Sequence, residues 1–144
     1  MRLTLYTDYA LRMLLYLKLQ SDEPSSTVQI AKAYGISQNH LAKIAQSLTD
    51  LGYIESIRGR SGGFLLKKPA DQINIGELVK TLESSSVLVE CFDPVKNTCP
   101  IVPVCSLMGV LKTAQDAFFE VLSKYTLEEL APNAETFVEF FKIE

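Results

Sequence analysis

The segment from residue 27 to residue 46 constrains the fold more than any other part of the 144-residue chain. Apolar residues recur with helical spacing on both sides of Gly35, a residue that tolerates the positive φ of a tight turn. Ala31 supplies the small side chain that a close helix crossing requires. The core beneath would contain Ile30, Ile36, Leu41 and Ile44. Because these independent steric demands are met together, the segment predicts a helix-turn-helix, with an ordinary αα-hairpin as the alternative.

The helix after the turn carries polar side chains where such a unit would meet a double helix. Ser37 is a candidate cap for this helix, which is expected to extend to about Asp50. The first turn of a recognition helix usually meets base edges, and Asn and Gln can bond adenine through two hydrogen bonds. The residues predicted to contact DNA here are Thr27, Gln38, Asn39, His40 and Lys43. His40 has two alternatives, an uninvolved exposed side chain and a metal ligand.

A β-hairpin with a basic loop is predicted directly after this unit. Strands are expected at residues 53–57 and 64–66, joined by a glycine-containing loop at 58–63. Arginine is attracted to the negative potential of a narrow minor groove, so the loop is typical of a DNA-binding wing. Its predicted contact residues are Arg58, Arg60, Ser61 and Gly62. The alternative is a flexible surface hairpin. A phosphate-binding P-loop is excluded, because the Gly-Lys-Ser/Thr ending is absent.

The distribution of charge agrees with an N-terminal half that binds nucleic acid. The chain has a net charge of −3, but residues 1–68 carry nine Lys/Arg and five Asp/Glu, a net charge of +4. Residues 69–144 carry five Lys/Arg and twelve Asp/Glu, a net charge of −7. This asymmetry is typical of a DNA-facing half joined to an acidic remainder. Chance clustering on two solvated surfaces is the alternative.

Neither a catalytic constellation nor a targeting segment is recognised in the sequence. There is no recognisable nucleophile–base pair and no pair of catalytic carboxylates, so an enzyme is not expected. No stretch approaches the ~20 apolar residues that cross a bilayer, and the N-terminus lacks the layout of a signal peptide. We therefore expect a cytoplasmic protein with no membrane partner.

Helical spacing of apolar residues predicts further helices outside the helix-turn-helix and the hairpin. They cover residues 3–20, 75–82 and 105–125, and Thr126 would cap one more turn through Leu130. The end at 134–144 is either a short helix or a frayed tail. The fold is therefore expected to be mainly α with a small β-hairpin.

The chain divides into three expected parts. Residues 1–83 would form a winged helix-turn-helix domain. Residues 84–104 would form an irregular loop, because Pro94, Pro100 and Pro103 exclude regular structure there. Residues 105–144 would form a long dimerisation helix and a C-terminal tail.

Three cysteines lie in or beside this loop: Cys91, Cys99 and Cys105. An odd number argues against a disulfide framework, and the close cysteine pairs of structural zinc sites are absent. Three spread thiols in a proline-rich loop are better suited to an iron–sulfur cluster, whose irons prefer thiolate ligands. Three inert buried thiols are the alternative. A cluster would need one more ligand, and the candidates are Asp8, His40, Asp93 or a small molecule.

The helix predicted at 105–125 is apolar over more of its circumference than packing on one small domain requires. A second copy of the chain would cover the remaining surface, so we expect a homodimer built on this helix. Two-fold symmetry would then place two recognition helices about one DNA turn apart, ~34 Å, over a pseudo-palindromic operator. The alternative is the buried core helix of a monomer.

The combination of motifs resembles one known family. The motifs are the opening stretch 3–12, Tyr53-Ile54, the wing stretch 58–64, Ile75-Gly76-Glu77 and the three cysteines. Together they resemble the iron–sulfur winged-helix repressors, and the likeness covers nearly the whole chain. The resemblance implies a DNA-binding transcriptional repressor with an iron–sulfur cluster as cofactor.

Within this family, the chain is most similar to the branch that responds to nitric oxide. Met108 stands where the branch that regulates cluster assembly has a histidine ligand. Asp8 matches the position of a fourth, carboxylate ligand, which the resemblance implies would come from the other subunit. Without the resemblance, Asp8 would be interpreted as a first-turn acid favoured by the helix dipole. The resemblance favours a [4Fe–4S] cluster over a [2Fe–2S] cluster.

The resemblance also implies how a signal would act. Nitric oxide would displace cluster ligands, relax the loop and release operator DNA. We hypothesise that Arg12, one helical turn beyond Asp8, links the cluster to the DNA-binding helix-turn-helix. Two alternatives keep the same fold: a family member that senses cluster supply or redox state, and a DNA-binding regulator without a cluster.

Overall fold

The structure is a computed structural model that describes residues 2–141. Most of this range is helical, and two short strands form an antiparallel hairpin. The helices are α1 Leu5–Leu19, α2 Thr27–Tyr34, α3 Gln38–Asp50, α4 Ile75–Leu82, α5 Ser106–Leu122, α6 Leu127–Leu130 and α7 Ala134–Phe141. The strands are β1 Ile54–Ile57 and β2 Gly63–Leu66. The predicted fold class, mainly α with a small hairpin, is confirmed.

The helix-turn-helix is formed by α2 and α3. Ser26 and Gln29 form a reciprocal capping box at the start of α2, which satisfies amides that the helix leaves free. Gly35 ends α2 with a φ of 64°, as the turn requires. Ser37 is the N-cap of α3, as predicted, but its side chain makes no capping hydrogen bond. This first turn is exposed, so solvent can reach its free amides.

The core beneath the helix-turn-helix lies between α1 and α3. Its fully buried side chains include Leu14 and Leu17 from α1 and Leu41, Ile44 and Leu48 from α3. Helical spacing places these residues of α3 on one face, so burying that face leaves the opposite one in solvent. The core therefore fixes which side of α3 faces outward.

The hairpin packs back onto the start of α2. β1 pairs with β2 from Ile54 opposite Leu66 to Ile57 opposite Gly63. Ser25, just before α2, exchanges two backbone hydrogen bonds with Phe64, of 3.1 and 2.9 Å. The sequence did not predict this bridge, since Ser25 is far from the hairpin along the chain. The bridge ties β2, close to the loop end of the hairpin, to the start of the helix-turn-helix.

The loop at 84–104 contains two short 3-10 turns, at Glu90–Phe92 and Val102–Val104. The expectation that its prolines exclude all regular structure was therefore too strong. Pro103 lies at the start of the second turn, where the fixed φ of proline fits and its missing amide hydrogen is not needed. The division of the chain after residues 83 and 104 stays a prediction.

Helix α5 ends at Leu122, three residues earlier than predicted, because groups at the start of α4 donate hydrogen bonds to backbone carbonyls that follow Leu122. The side chain of Asn74 donates to the carbonyl of Ser123 at 2.7 Å, and the amide of Ile75 donates to the carbonyl of Tyr125 at 3.0 Å. Gly76 faces Ser123 at the same crossing. These bonds hold α5 in a fixed position against α4.

After α5, the chain returns to pack against α1 and α2. Thr126 and Glu129 form a capping box that begins α6, as predicted for Thr126. The open alternative at the C-terminus resolves as the helix α7, whose Phe141 packs against Tyr16 and Tyr34. The last predicted residues, 142–144, lie outside the described range. Within residues 2–141, every helix is too short or too polar to span a lipid bilayer.

The crossing of α4 and α5 gives a stability prediction for Gly76→Ala. The added Cβ would lie 2.6 Å from the backbone nitrogen and 2.7 Å from the Cα of Ser123, so the helices must move apart. We expect a loss of about 1–3 kcal/mol in the free energy of unfolding, which the better helix propensity of alanine only partly offsets. Urea unfolding measures it. Exposed Lys80→Ala is the control, and its free energy of unfolding is expected within about 0.5 kcal/mol of wild type. If Gly76→Ala were no more destabilising than Lys80→Ala, the close approach of the two helices at Gly76 would be contradicted.

Candidate functional site

The first turn of α3 forms the centre of a candidate nucleic-acid interface. Gln38, Asn39 and His40 are all exposed there, and Lys43 is exposed one turn later. The buried face of the same helix holds the turn in place from behind. The structure thus exposes amide, imidazole and ammonium groups together on the first turns of α3, as predicted from the spacing.

The hairpin loop adds a second basic element. Arg58, Arg60 and Ser61 are exposed, while Gly62 is half-buried. Thr27 is half-buried at the first residue of α2. In the part of the chain that the structure describes, the ion pairs involve Arg12, Lys18 and Lys112. The cations of α3 and of the loop are therefore not neutralised by carboxylates, and they remain available for phosphates.

Asp8 and Arg12 form a bidentate ion pair on α1. Arg12 Nε and Nη2 lie 3.1 and 2.9 Å from the two carboxylate oxygens of Asp8, and both side chains are about two-fifths exposed. The guanidinium carbon of Arg12 also lies 5.7 Å from the ring centroid of Tyr9 and 5.8 Å from that of Tyr34. The pair is therefore held in place by aromatic rings on α1 and α2.

An aromatic contact connects the same region to the recognition helix. The rings of Tyr9 and His40 lie 6.3 Å apart, beside a cleft of about 200 Å³ between α1 and α3. Tyr9 and Tyr34 were not predicted to belong to the site. Tyr9 had a sequence signal, since it lies beside Asp8 in the resembling stretch, whereas nothing in the spacing links Tyr34 to Arg12.

The cysteine loop is closed by its own polar bonds. Asp93 Oδ1 accepts from the amides of Val95 and Lys96, at 2.9 and 3.0 Å. Glu90 accepts from the amide and the hydroxyl of Thr98, at 2.6 and 2.7 Å, and these bonds hold the pKa of the Glu90 carboxyl below its usual range. The loop is therefore an ordered arrangement of turns around its thiols.

Cys91, Cys99 and Cys105 are all free thiols, and all are half-buried. As donors, three free thiols fit an iron–sulfur cluster. Their arrangement does not yet form a ligand set: among residues 2–141, no three His, Cys, Asp or Glu side chains are grouped to hold a metal ion. Of the candidate additional ligands, Asp8 bonds Arg12, His40 contacts Tyr9, and Asp93 bonds its own loop. The ligand assignment stays a prediction.

Helix α5 exposes an apolar stripe. None of its described residues is fully buried, and Leu107, Val110 and Val121 are 61%, 63% and 53% exposed. Ala114 and Ala117 are exposed between them. The stripe thus repeats at alternating spacings of three and four residues, which is the pattern of a helix that packs along a second helix.

Comparison with known proteins decides the family. The family model described as "Rrf2: Iron-dependent Transcriptional regulator" matches residues 3–133. The chain belongs to the Rrf2 family. It is 49% identical over 144 residues to the HTH-type transcriptional regulator NsrR of Halalkalibacterium halodurans, and the match covers 99% of each chain. It is 48% identical over 144 residues to NsrR of Bacillus subtilis, again with 99% of each chain covered.

The fold also agrees with a solved member of this group. The oxidized form of CymR from Staphylococcus aureus matches with a TM-score of 0.72 and 25% identity, covering 92% of this chain and 98% of that one. The predictions of a winged helix-turn-helix fold and of a transcriptional regulator are confirmed. The Rrf2 matches also confirm the resemblance from which the sequence interpretation was made.

The aromatic cluster beneath Arg12 gives a prediction about pH. Burial raises the pKa of Tyr34 from 10.0 to about 12, although the charge of Arg12 acts in the opposite direction. Since the folded state disfavours the phenolate, this contribution to stability is complete below pH 10 and is lost as the pH rises through 12. Phe141→Ala uncovers the ring and should lower this pKa towards 10.0.

Phenolate absorbance, with Tyr34→Phe subtracted, measures the titration of Tyr34 alone. The control is Phe140→Ala, because Phe140 is 80% exposed one residue earlier on α7. That variant should leave the titration unchanged. A Tyr34 that titrates near 10.0 in the wild type would show that α7 does not cover it.

Proposed function

We propose that this Rrf2 protein is a homodimeric, cytoplasmic repressor whose affinity for operator DNA is set by an iron–sulfur cluster that reacts with nitric oxide. The observation that carries the proposal is the double role of α1. This helix packs against the recognition helix and also presents Asp8, the proposed fourth ligand. A change at Asp8 would therefore reach the DNA-binding face through one rigid element. No catalytic role is proposed.

The proposed ligands of the cluster are the thiolates of Cys91, Cys99 and Cys105 with the carboxylate of Asp8 from the second subunit. Thiolates suit iron, whereas a carboxylate is a hard donor on a soft centre and makes one position labile. When bound, the cluster supplies irons that nitric oxide can attack. A [4Fe–4S] cluster is proposed over [2Fe–2S], following the resemblance to the branch that responds to nitric oxide.

The proposed dimer packs the exposed stripe of α5 against its copy. The stripe contains Leu107, Val110, Ala114, Ala117 and Val121, and the two alanines would allow a close approach of the helices. Such a dimer would bring Asp8 of one subunit to the cysteine loop of the other, and the three thiols, which are not grouped within residues 2–141, would have to converge on the cluster when it binds. It would also place the two recognition helices ~34 Å apart over a pseudo-palindromic operator.

The second candidate is a winged-helix regulator of this family that senses cluster supply or redox state, or that has no cluster. The ungrouped thiols favour this candidate, because free, half-buried cysteines can react without any metal. The two candidates differ in one measurable respect, which is the colour and iron content of protein purified without oxygen.

Nitric oxide titration of anaerobically purified protein tests the proposed function. We expect a visible absorption band, bound iron and sulfide, and release of operator DNA in step with bleaching of the band. Cys99→Ser should abolish the band, and Asp8→Asn should retain iron less tightly. Asp22→Asn, an exposed change in the turn after α1, is the control and should behave as wild type. Colourless protein that still binds DNA would favour the second candidate.

The DNA-binding face can be tested separately from the cluster. Lys43→Ala and Arg60→Ala should each weaken operator binding while leaving the cluster spectrum unchanged. Each lost phosphate contact should lower the slope of log affinity against log salt by about 0.9, because fewer counterions are released. Exposed Lys124→Ala on the acidic half is the control, expected to bind as wild type. Affinity that does not vary with salt would contradict this face.

A further inference from the structure

Glu83 connects two parts of the chain that are distant in sequence. It is the residue that ends α4, immediately before the cysteine loop. Its Oε1 accepts hydrogen bonds from the backbone amide of Thr4 at 2.9 Å and from the Thr4 hydroxyl at 2.8 Å. Its Oε2 accepts from the hydroxyl of Ser86, inside the loop, at 2.8 Å. One carboxylate therefore bonds the start of α1 and the start of the loop.

The bonds at Thr4 complete a capping box with a residue from elsewhere in the chain. Thr4 is the cap of α1, and its hydroxyl oxygen accepts from the amide of Thr7, three residues later. In an ordinary capping box, a Glu or Gln at that later position would accept from the amide of the cap residue. Here the position holds Thr7, which is too short for this role, and Glu83 accepts from that amide instead. The first turn of α1 thus depends on where α4 ends.

The surroundings of Glu83 favour the ionised, hydrogen-bonded form of its carboxylate. Partial burial acts to raise its pKa, but the bonds from Thr7, Thr4 and Ser86 outweigh burial and hold the pKa below its ordinary value. Thr7 itself is fully buried, so the network reaches into the core one residue before Asp8. A carboxylate beside the N-terminus of a helix is also favoured by the helix dipole.

We propose that Glu83 is a positioning residue that couples the cysteine loop to α1, and thereby to the recognition helix, within one subunit. This inference rests on the proposed function, because it names the connection through which a change in the loop reaches DNA. Movement of Ser86 with the loop would shift the carboxylate, and the amide and hydroxyl of Thr4 at the start of α1 would lose their acceptor. Asp8 follows that turn directly, so its placement changes with it.

The experiment uses the full-length protein with Glu83→Ala, which removes the acceptor, and, as the matched control, Glu77→Ala on the exposed face of the same helix. The first measurement is hydrogen exchange of the amides at residues 4–8 in cluster-free protein. The second is operator affinity of cluster-loaded and cluster-free protein, expressed as a ratio. Glu83→Ala should lose protection of the first turn, keep the cluster spectrum, and reduce the affinity ratio at least about fivefold. The control should change neither measurement.

Two further variants separate coupling from folding. Thr4→Val removes the hydroxyl that bonds Glu83, whereas Thr4→Ser keeps it. Only the valine variant should therefore reduce the ratio of the two operator affinities. A purely structural role would instead weaken both forms equally and leave the ratio unchanged, which would overturn the inference. Wild-type protein that binds DNA equally with and without the cluster would overturn the proposed function and the coupling together. Exchange at residues 4–8 that Glu83→Ala does not alter would overturn the coupling alone.

Discussion

The packing of α3 against α1 is the constraint on which the rest of the structure depends. Leu41, Ile44 and Leu48 are fully buried against the leucines of α1. Burying this face leaves the first turn of α3 exposed and orients it without further help. The same contact couples the position of α3 to that of α1. A displacement of α1 would therefore be expected to move the proposed DNA-binding face.

Helix α1 is suited to receive such a signal because its partly exposed side holds an ion pair whose carboxylate is also the proposed fourth ligand. The Asp8 carboxylate uses both oxygens to bind Arg12, whose guanidinium also lies between two tyrosine rings. If Asp8 became a metal ligand, it would have to loosen this pair, and Arg12 would retain its aromatic contacts. Cluster ligation and ion pairing would therefore compete for one carboxylate, and loss of the cluster would return Asp8 to Arg12.

Sequence patterns predicted the helix-turn-helix, the hairpin and most helix boundaries, because those depend on local spacing and on residues such as Gly35 and Thr126. They failed where distant groups replace local ones. The end of α5 depends on Asn74 and Ile75, and the cap of α1 is completed by Glu83. The candidate DNA contacts followed from the exposed face of one helix and one loop. The contact of Tyr34 with Arg12 could not be predicted, since it arises from tertiary packing alone.

The exposed stripe on α5 indicates an incomplete assembly. A single chain leaves Leu107 and Val110 more than half exposed. Pairing the stripe with its copy would bury apolar surface at about 25 cal/mol per Å², which favours dimerisation without any metal. The dimer would then hold the α1 of one subunit near the loop of the other. Cluster binding would act on a dimer that already exists, so its loss could release DNA without separating the subunits.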